Sequence, residues 1–514
     1  MNFVVTNAQM KLAEKTADER GVSFSEMMGN AGRAIADAAA RLIPPDGRAL
    51  ILCGAGNNGG DGFAAAARLN ALNIAADVLL VNGEPRTDCA REHFALMPRG
   101  LLLDGAPQYS RYACVIDCIF GTGFHGELPE SVRAVLSACT QIPLRIAADV
   151  PSGVNSDTGE RADGCFEPTH TLVLAAMKRG LLVPSCLDAL GETRLVDIGI
   201  PESAFTEYSA RVTDESVLKA FPVRRKCAHK GSFGRLLIIA GSLCCNGAAA
   251  MCAMAALRTG TGLCTLAAPR GALGMIAPAV PEATFLPLCE TKDGFVSESA
   301  LEAIAAALPK ATAVAVGCGM GNSEATRVIT EFVVHRADCP VIIDADGINS
   351  LAGNINILTE RKAGCEVILT PHPLEFSRIS GLSVAQIQSD RLCAAEDFAR
   401  RYGVTLALKG AGTVVASGVS SAGGVSNAGG VSNAGSAGSY VNLCGNAGLA
   451  RGGSGDTLTG IIAALAAQGA EPLMAAACGV YCHARAADIL LDRLPMQSIL
   501  PRDIIAALPE VYRG

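Results

Sequence analysis

Twice along this chain a short apolar run is followed by a glycine-rich turn and then by an alanine-rich segment of helical length. Apolar runs without polar alternation have both faces covered, the condition of a parallel sheet clad in helices. In the first half, a helical stretch over residues 8–41 leads into predicted strands at 49–53, 76–81, 113–117, 145–148, 171–174 and 194–198. In the second, strands are predicted at 236–240, 264–267, 313–316, 341–344, 367–370, 405–409 and 413–416, with a last helical region from Asp456 onward. The polar passage 201–225 has no strand signal and places a domain boundary near residue 220. The reading is therefore an N-terminal Rossmann-like three-layer domain over 1–215 and a C-terminal three-layer α/β/α domain over 224–514.

Composition narrows the function. Only 18% of residues are charged, against about 25% in ordinary domains, so large cores are available. The net charge of −7 and the absence of a long basic run exclude a nucleic-acid partner. With 15 Phe, 7 Tyr and no Trp, stacking platforms for single strands are also scarce. The 20 cysteines form no C-x-x-C pair, which points to reduced, buried thiols rather than a disulfide scaffold or zinc finger. The N-terminus lacks a basic start followed by an apolar core, so a cytoplasmic protein without a signal peptide is expected. The uncharged run 236–257 is long enough to span a bilayer, but Gly241-Ser242 and Asn246-Gly247 interrupt it, and it reads as strand, loop and helix. No membrane partner is expected. Between Lys409 and Arg451 no residue is charged, and GGVSNA occurs there twice, at 423–428 and 429–434. That segment reads as a Gly/Ser/Asn expansion of a surface hairpin and is assigned no function.

The first chemical signal follows strand 49–53, where Gly54-Ala55-Gly56-Asn57-Asn58-Gly59-Gly60-Asp61-Gly62 opens a helix. G-x-G-x-x-G between strand and helix suits a phosphate at the helix N-terminus. The acid of a nicotinamide fold is missing, because the second strand ends Leu80-Val81-Asn82. Asn57, Asn58 and Asp61 instead supply hard oxygens fit for a cation. Asp117, ahead of Gly121-Thr122-Gly123-Phe124-His125-Gly126-Glu127, and Asp149-Val150-Pro151-Ser152-Gly153 lie at two further strand ends. Each Asp alone could be a helix cap; three strand ends together indicate a crevice.

The second signal is Asn446 to Leu458, with Gly452-Gly453-Ser454-Gly455-Asp456 opening an apolar helix. Such a nest of N–H groups holds an anion, and Asp456 beside it can deprotonate a hydroxyl that attacks a phosphoryl group; a plain glycine loop with an Asp cap is the alternative. Lys409-Gly410-Ala411-Gly412-Thr413 joins two strands, and His372 follows another. The turns around Asn246-Gly247-Ala248 and Gly317-Cys318-Gly319-Met320-Gly321 also follow strands, whereas His229-Lys230-Gly231 could be a surface turn.

NNGGDG, DxIFGTGFxGxL and ADxPSG resemble the epimerase domain of the NAD(P)H-hydrate repair enzymes over about residues 1–215. HKGSFG, GSxxxxGA, GCGMG, DADGIN, TPHPLEFSR, LKGAGT and GGSGDTL resemble the ribokinase-like, ADP-dependent dehydratase domain of the same system over about 224–514. The resemblance implies that Asn57, Asn58, Gly59, Gly60, Asp61, Gly121 through Glu127 and Asp149 contact the hydrated dinucleotide. It implies K+ held by Asn58, Asp117 and Ser152, with Asp149 the proton-transfer group. In the second domain it implies that Ala248, Gly321, His372 and Asp456 contact hydrate, and that Lys409, Gly410, Ala411, Gly412, Thr413 and Gly455 hold ADP, with Mg2+. Two departures stand out: Cys245 occupies the family's aromatic position, and the expansion follows Ser417. The implied partners are hydrated NADH or NADPH, ADP and further copies of the chain in a homo-oligomer. A small-molecule kinase of the ribokinase group with an N-terminal binding or scaffold module is the competing reading; an ordinary dehydrogenase is disfavoured by the missing acid.

Overall fold

The computed structural model describes residues 2–418 and 438–513. They divide into two compact units, parting between Arg211 and Val212. The GGVSNA repeats lie outside the described residues.

In the first unit six parallel strands run in the order Ala76–Leu80, Ala49–Cys53, Cys114–Cys118, Leu144–Ala148, His170–Leu174 and Glu192–Val196. Strand alternation divides the core: Ala49, Ile51 and Cys53 face one helical layer, while Leu50 and Leu52 face the layer that includes Val132 and Leu136 of helix Glu130–Ala138. Three layers result. The chain leaves Ala49–Cys53 for a neighbour on one side and returns on its other side at Cys114–Cys118. That reversal opens a crevice beyond the carboxyl ends of these two strands, where α/β proteins bind ligands.

The helical stretch expected over 8–41 is two helices, Asn7–Glu19 and Phe24–Leu42. Gly21 at φ +98° turns the chain, and Ser23 caps the second helix by accepting from Glu26 N–H. Glycine at positive φ and serine at an N-cap each cost little there, so they outweigh the helical pattern. Passage 201–225, expected to lack strands, contains Ala210–Val212, which pairs antiparallel with Phe3–Val5. Phe3–Val5 pairs on its other side with Met177–Lys178. These short strands lack local periodicity and exist through pairing.

The second unit's sheet runs Thr284–Leu288, Leu263–Pro269, Arg235–Ile239, Ala313–Val316, Val341–Ile343, Val367–Leu369, Thr405–Leu408, Thr413–Ser417 and Tyr440–Asn442. It is parallel as far as Thr405–Leu408 and antiparallel beyond. Its order reverses between Arg235–Ile239 and Ala313–Val316, the second crevice. Residues 236–257 are buried strand, turn and the helix Asn246–Arg258, as read. Thr284–Leu288 was not anticipated; it carries Pro287 and lies at the sheet edge, where a missing N–H is tolerated. Among the described residues no helix is long and apolar enough to cross a membrane. All the cysteines are free, but Cys227, Cys244, Cys245, Cys289 and Cys393 are exposed, against the expectation of burial.

Candidate functional sites

A cleft of about 860 Å³ opens at the first crevice, lined by Asn57, Asn58, Asp61, Gly121, Thr122, Gly123 and Asp149. Helix Asn57–Ala71 starts at Gly56 without a side-chain cap, which leaves its first N–H groups for a ligand. Close backbone approach sets this corner. A Cβ on Gly54 would lie 2.0 Å from the carbonyl oxygen of Ile119, and one on Gly59 would lie 1.9 Å from that of Gly54. Gly59 and Gly60 are thus buried packing positions, with Gly60 against Met28. Asn82, where an acid was missing, accepts from Ala55 N–H at 2.7 Å and lines the same cleft.

Beneath the cleft floor Asp117 is fully buried. Its carboxylate accepts from Ser152 N–H at 2.7 Å, Ser152 Oγ–H at 2.7 Å and Ile119 N–H at 3.1 Å. Burial pushes its carboxyl up to about 6 against these bonds. Asn58 is buried beside Gly121, and its Nδ2 has no hydrogen-bond partner. Asp149 adopts φ +70°, a costly backbone for a non-glycine residue and one concentrated at working sites. Leu174 N–H donates to it at 3.0 Å, and the buried Lys178 forms an ion pair with it while donating to Leu174 O at 2.7 Å. Lys178 was not singled out in the sequence; a lone lysine closing the apolar run Leu174-Ala175-Ala176-Met177 was the available signal.

The second glycine loop divides. Gly121, Thr122 and Gly123 line the cleft, Phe124 packs into the core against Phe120, and His125, Gly126 and Glu127 are exposed outside the cleft lining. His125 instead contacts Asn155, Nδ1 to Nδ2 at 3.1 Å.

In the second crevice, helix Ser454–Ala467 begins after Gly453 at φ +92°, a left-handed residue that turns the GGSG backbone into the helix start. Asp456 lies in its first turn. Burial and neighbouring Asp344 push the Asp456 carboxyl up to about 6, while the Cys318 thiol and Lys409 oppose the rise. Asp344 is buried and held below the usual carboxylate range: Lys409 Nζ donates to it at 2.8 Å and Thr459 Oγ–H at 2.7 Å, outweighing burial. Gly455 faces this pair, since a Cβ there would lie 3.2 Å from Lys409 Nζ.

Three of Arg391's bonds clamp the turn from Lys409 to Gly412, donated to the carbonyl oxygens of Leu408 (2.9 Å), Lys409 (2.7 Å) and Ala411 (2.8 Å). Thr413 Oγ closes the turn on Gly410 O at 2.8 Å. Arg391 escaped sequence reading because it lies in a helix, Arg391–Tyr402, outside every motif. His483 was also missed; buried in helix Pro472–Leu490, it meets Ser454 Oγ at 3.2 Å, and burial pulls its imidazole down to about 4. Ala248 and Gly321 flank the switch point. A Cβ on Gly319 would lie 2.9 Å from that of Ala248, and Gly321 N–H donates to Asp346 at 2.8 Å. His372 is half-exposed and caps helix Pro373–Ser380, its Nδ1 accepting from Leu374 and Glu375 N–H at 3.2 Å each.

A parallel α/β unit with a helix start and an ion-paired acid at its switch point, joined to another with a glycine turn into a helix start and an elevated carboxyl, fits a two-domain enzyme of nucleotide chemistry. Comparisons agree. Residues 236–510 match the family model described as NAD(P)H-hydrate dehydratase, and residues 25–180 match that of the YjeF-related protein N-terminus. The chain is 35% identical to the bifunctional NAD(P)H-hydrate repair enzyme of Moorella thermoacetica, covering 100% of this chain and 97% of that one. Against the Escherichia coli counterpart it is 31% identical, covering 97% and 91%. A solved Bacillus subtilis ADP/ATP-dependent NAD(P)H-hydrate dehydratase, co-crystallised with ATP and Mg2+, aligns with 59% of this chain and 96% of its own at 31% identity and a TM-score of 0.49. The chain belongs to the bifunctional NAD(P)H-hydrate repair enzymes, with an epimerase and a dehydratase domain.

Proposed function

We propose that the first cleft interconverts the R and S forms of hydrated NADH or NADPH at C6, and that the second site returns the S form to the reduced coenzyme at the expense of ADP, giving AMP and phosphate. The elevated Asp456 carboxyl at a helix start beside Lys409 carries this reading. Hydroxide is a poor leaving group, its conjugate acid having a pKa of about 15.7. Phosphate, with an ionisation at about 6, leaves far more readily. Asp456 takes the C6 hydroxyl proton, and the Gly453–Gly455 backbone with Lys409 steadies the transferred phosphoryl charge. The ring nitrogen's lone pair then expels phosphate, forming an N1=C6 bond. Loss of a proton from C5 to solvent sets the C5=C6 double bond and returns the pair to nitrogen, giving the dihydronicotinamide. Arg391 keeps the Lys409 turn in shape for the nucleotide. Mg2+ on the nucleotide would screen phosphate charge, with Asp346, a neighbouring charge of Asp456, the hard donor at hand. ADP rather than ATP is inferred from the fusion of both domains in one chain.

In the epimerase, Asn58, Asp117 and Ser152 offer only oxygen donors, and Asp117 is a desolvated carboxylate with no cationic side chain bonded to it among the described residues. That set fits K+, which would supply charge at the cleft floor. Asp149 moves a proton at the C6 hydroxyl.

The test is to incubate the full chain with mixed-epimer hydrate, ADP, Mg2+ and K+. Reduced-nicotinamide absorbance should return for the whole pool. Asp149→Asn should leave about half of it stranded, and Asp456→Asn should stop the return. A stable phosphorylated product without absorbance would instead mean a kinase.

A further inference from the structure

Helix Asn7–Glu19 lies ahead of every motif and ahead of the matched span 25–180, yet it forms one wall of the epimerase cleft through Met10, Lys11 and Glu14. Its core side is set by buried Met10, Ala13 and Ala17, and Glu14 is brought to the cleft wall. Among the described residues the Glu14 carboxyl has neither a hydrogen-bond nor an ion-pair partner; the nearby Lys15 pairs with Glu19 instead. The same cleft is lined by Asp149, already paired with Lys178, and by Asp61 from helix Asn57–Ala71. Asp149 is thus held beside a cation, while Glu14 has no partner that fixes its proton.

We propose that Glu14 is the second proton-transfer group of the epimerase cleft, working with Asp149 on the C6 hydroxyl of the hydrated ring. The proposal rests on the epimerase reading above. In the forward step the Glu14 acid gives its proton to the C6 hydroxyl. The ring nitrogen's lone pair forms an N1=C6 bond, the C6–O bond breaks and water leaves. Water then adds to the opposite face of C6, the N1=C6 pair returns to nitrogen, and Asp149 takes the proton released. One passage moves one proton from Glu14 to Asp149. The reverse passage, or exchange with solvent, restores it, so no other reactant is consumed.

The surroundings match this division. Burial and the Asp149 charge push the Glu14 carboxyl up to about 7, opposed by Lys178 and Lys11, while Asp61 is raised well above the carboxylate range by burial, Asp149 and Glu14. An acid with its midpoint near the working pH can both give and regain a proton.

The experiment follows loss of one pure epimer of the hydrate in the full-length protein, with the epimers separated by chromatography. The wild-type rate should fall above about pH 7; Glu14→Gln should lower kcat at least about 100-fold with KM within about threefold, and should remove that fall. Glu14→Asp should recover part of the rate, and acetate should partly rescue Glu14→Ala. Dehydration of the S hydrate should be unchanged in all three. A Glu14→Gln protein that keeps the wild-type kcat or the wild-type alkaline limb overturns the proposal. A wild-type protein that does not epimerise overturns the epimerase reading itself, a separately visible result.

Discussion

Asp456 gives the most exacting prediction, because the structure sets both a midpoint and a slope. Its carboxyl rises from an ordinary 3.8 to about 6, which disfavours the ionised form by about 3 kcal/mol. A general base works only when ionised, so dehydration should rise with pH through 6. About 90% of Asp456 is ionised at pH 7 and about 10% at pH 5, and below pH 5 the rate should fall about tenfold per pH unit. The assay is the initial return of reduced-nicotinamide absorbance from pure S hydrate with saturating ADP, which bypasses the epimerase. Cys318→Ala removes the thiol that holds the Asp456 carboxyl down, so the acid limb should move to higher pH. Asp456→Asn should lose about 100- to 10,000-fold in kcat while still binding ADP. An acid limb centred below pH 5, or an Asp456→Asn enzyme within tenfold of wild type, would refute the assignment.

Other outcomes follow from single contacts. Gly59→Ala puts a methyl 1.9 Å from the Gly54 carbonyl and should cost about 3 kcal/mol or more in a denaturant titration of the first unit, with epimerase activity lost. Arg391→Ala should raise the KM for ADP at least tenfold with kcat largely kept, and Arg391→Lys should not restore it, because an ammonium cannot match the planar fork that meets three carbonyls. His372→Asn should keep the cap and melt like wild type, whereas His372→Ala should lose about 1 kcal/mol; a raised hydrate KM in both would show that the ring also meets substrate. Replacing K+ by tetramethylammonium should slow the epimerase, and Asp117→Asn should abolish that sensitivity.

Where local chemistry dictates conformation, the sequence was readable. The strand–glycine–helix units and GGSGD placed both crevices, and Asp117 and Ser152, which two motifs far apart in the chain assign to one crevice, lie within hydrogen-bond distance of each other. The loop from Gly121 to Glu127 was readable only as a block: backbone direction sends its first residues to the cleft and its last to solvent, and spacing carries no such direction. Glu14, Lys178, Arg391 and His483 were illegible for another reason. Each sits in a helix or short strand that looks ordinary alone and acquires a role through what packs against it.

Periodicity and glycine placement, which act over a few residues, therefore determined by themselves that two parallel sheets form and which loops crown them. Which acid is paired, which is left free and which is driven toward neutrality was decided only by the tertiary structure. Those properties depend on excluded water and on charges brought close from distant segments, and neither exists until the sheets have closed.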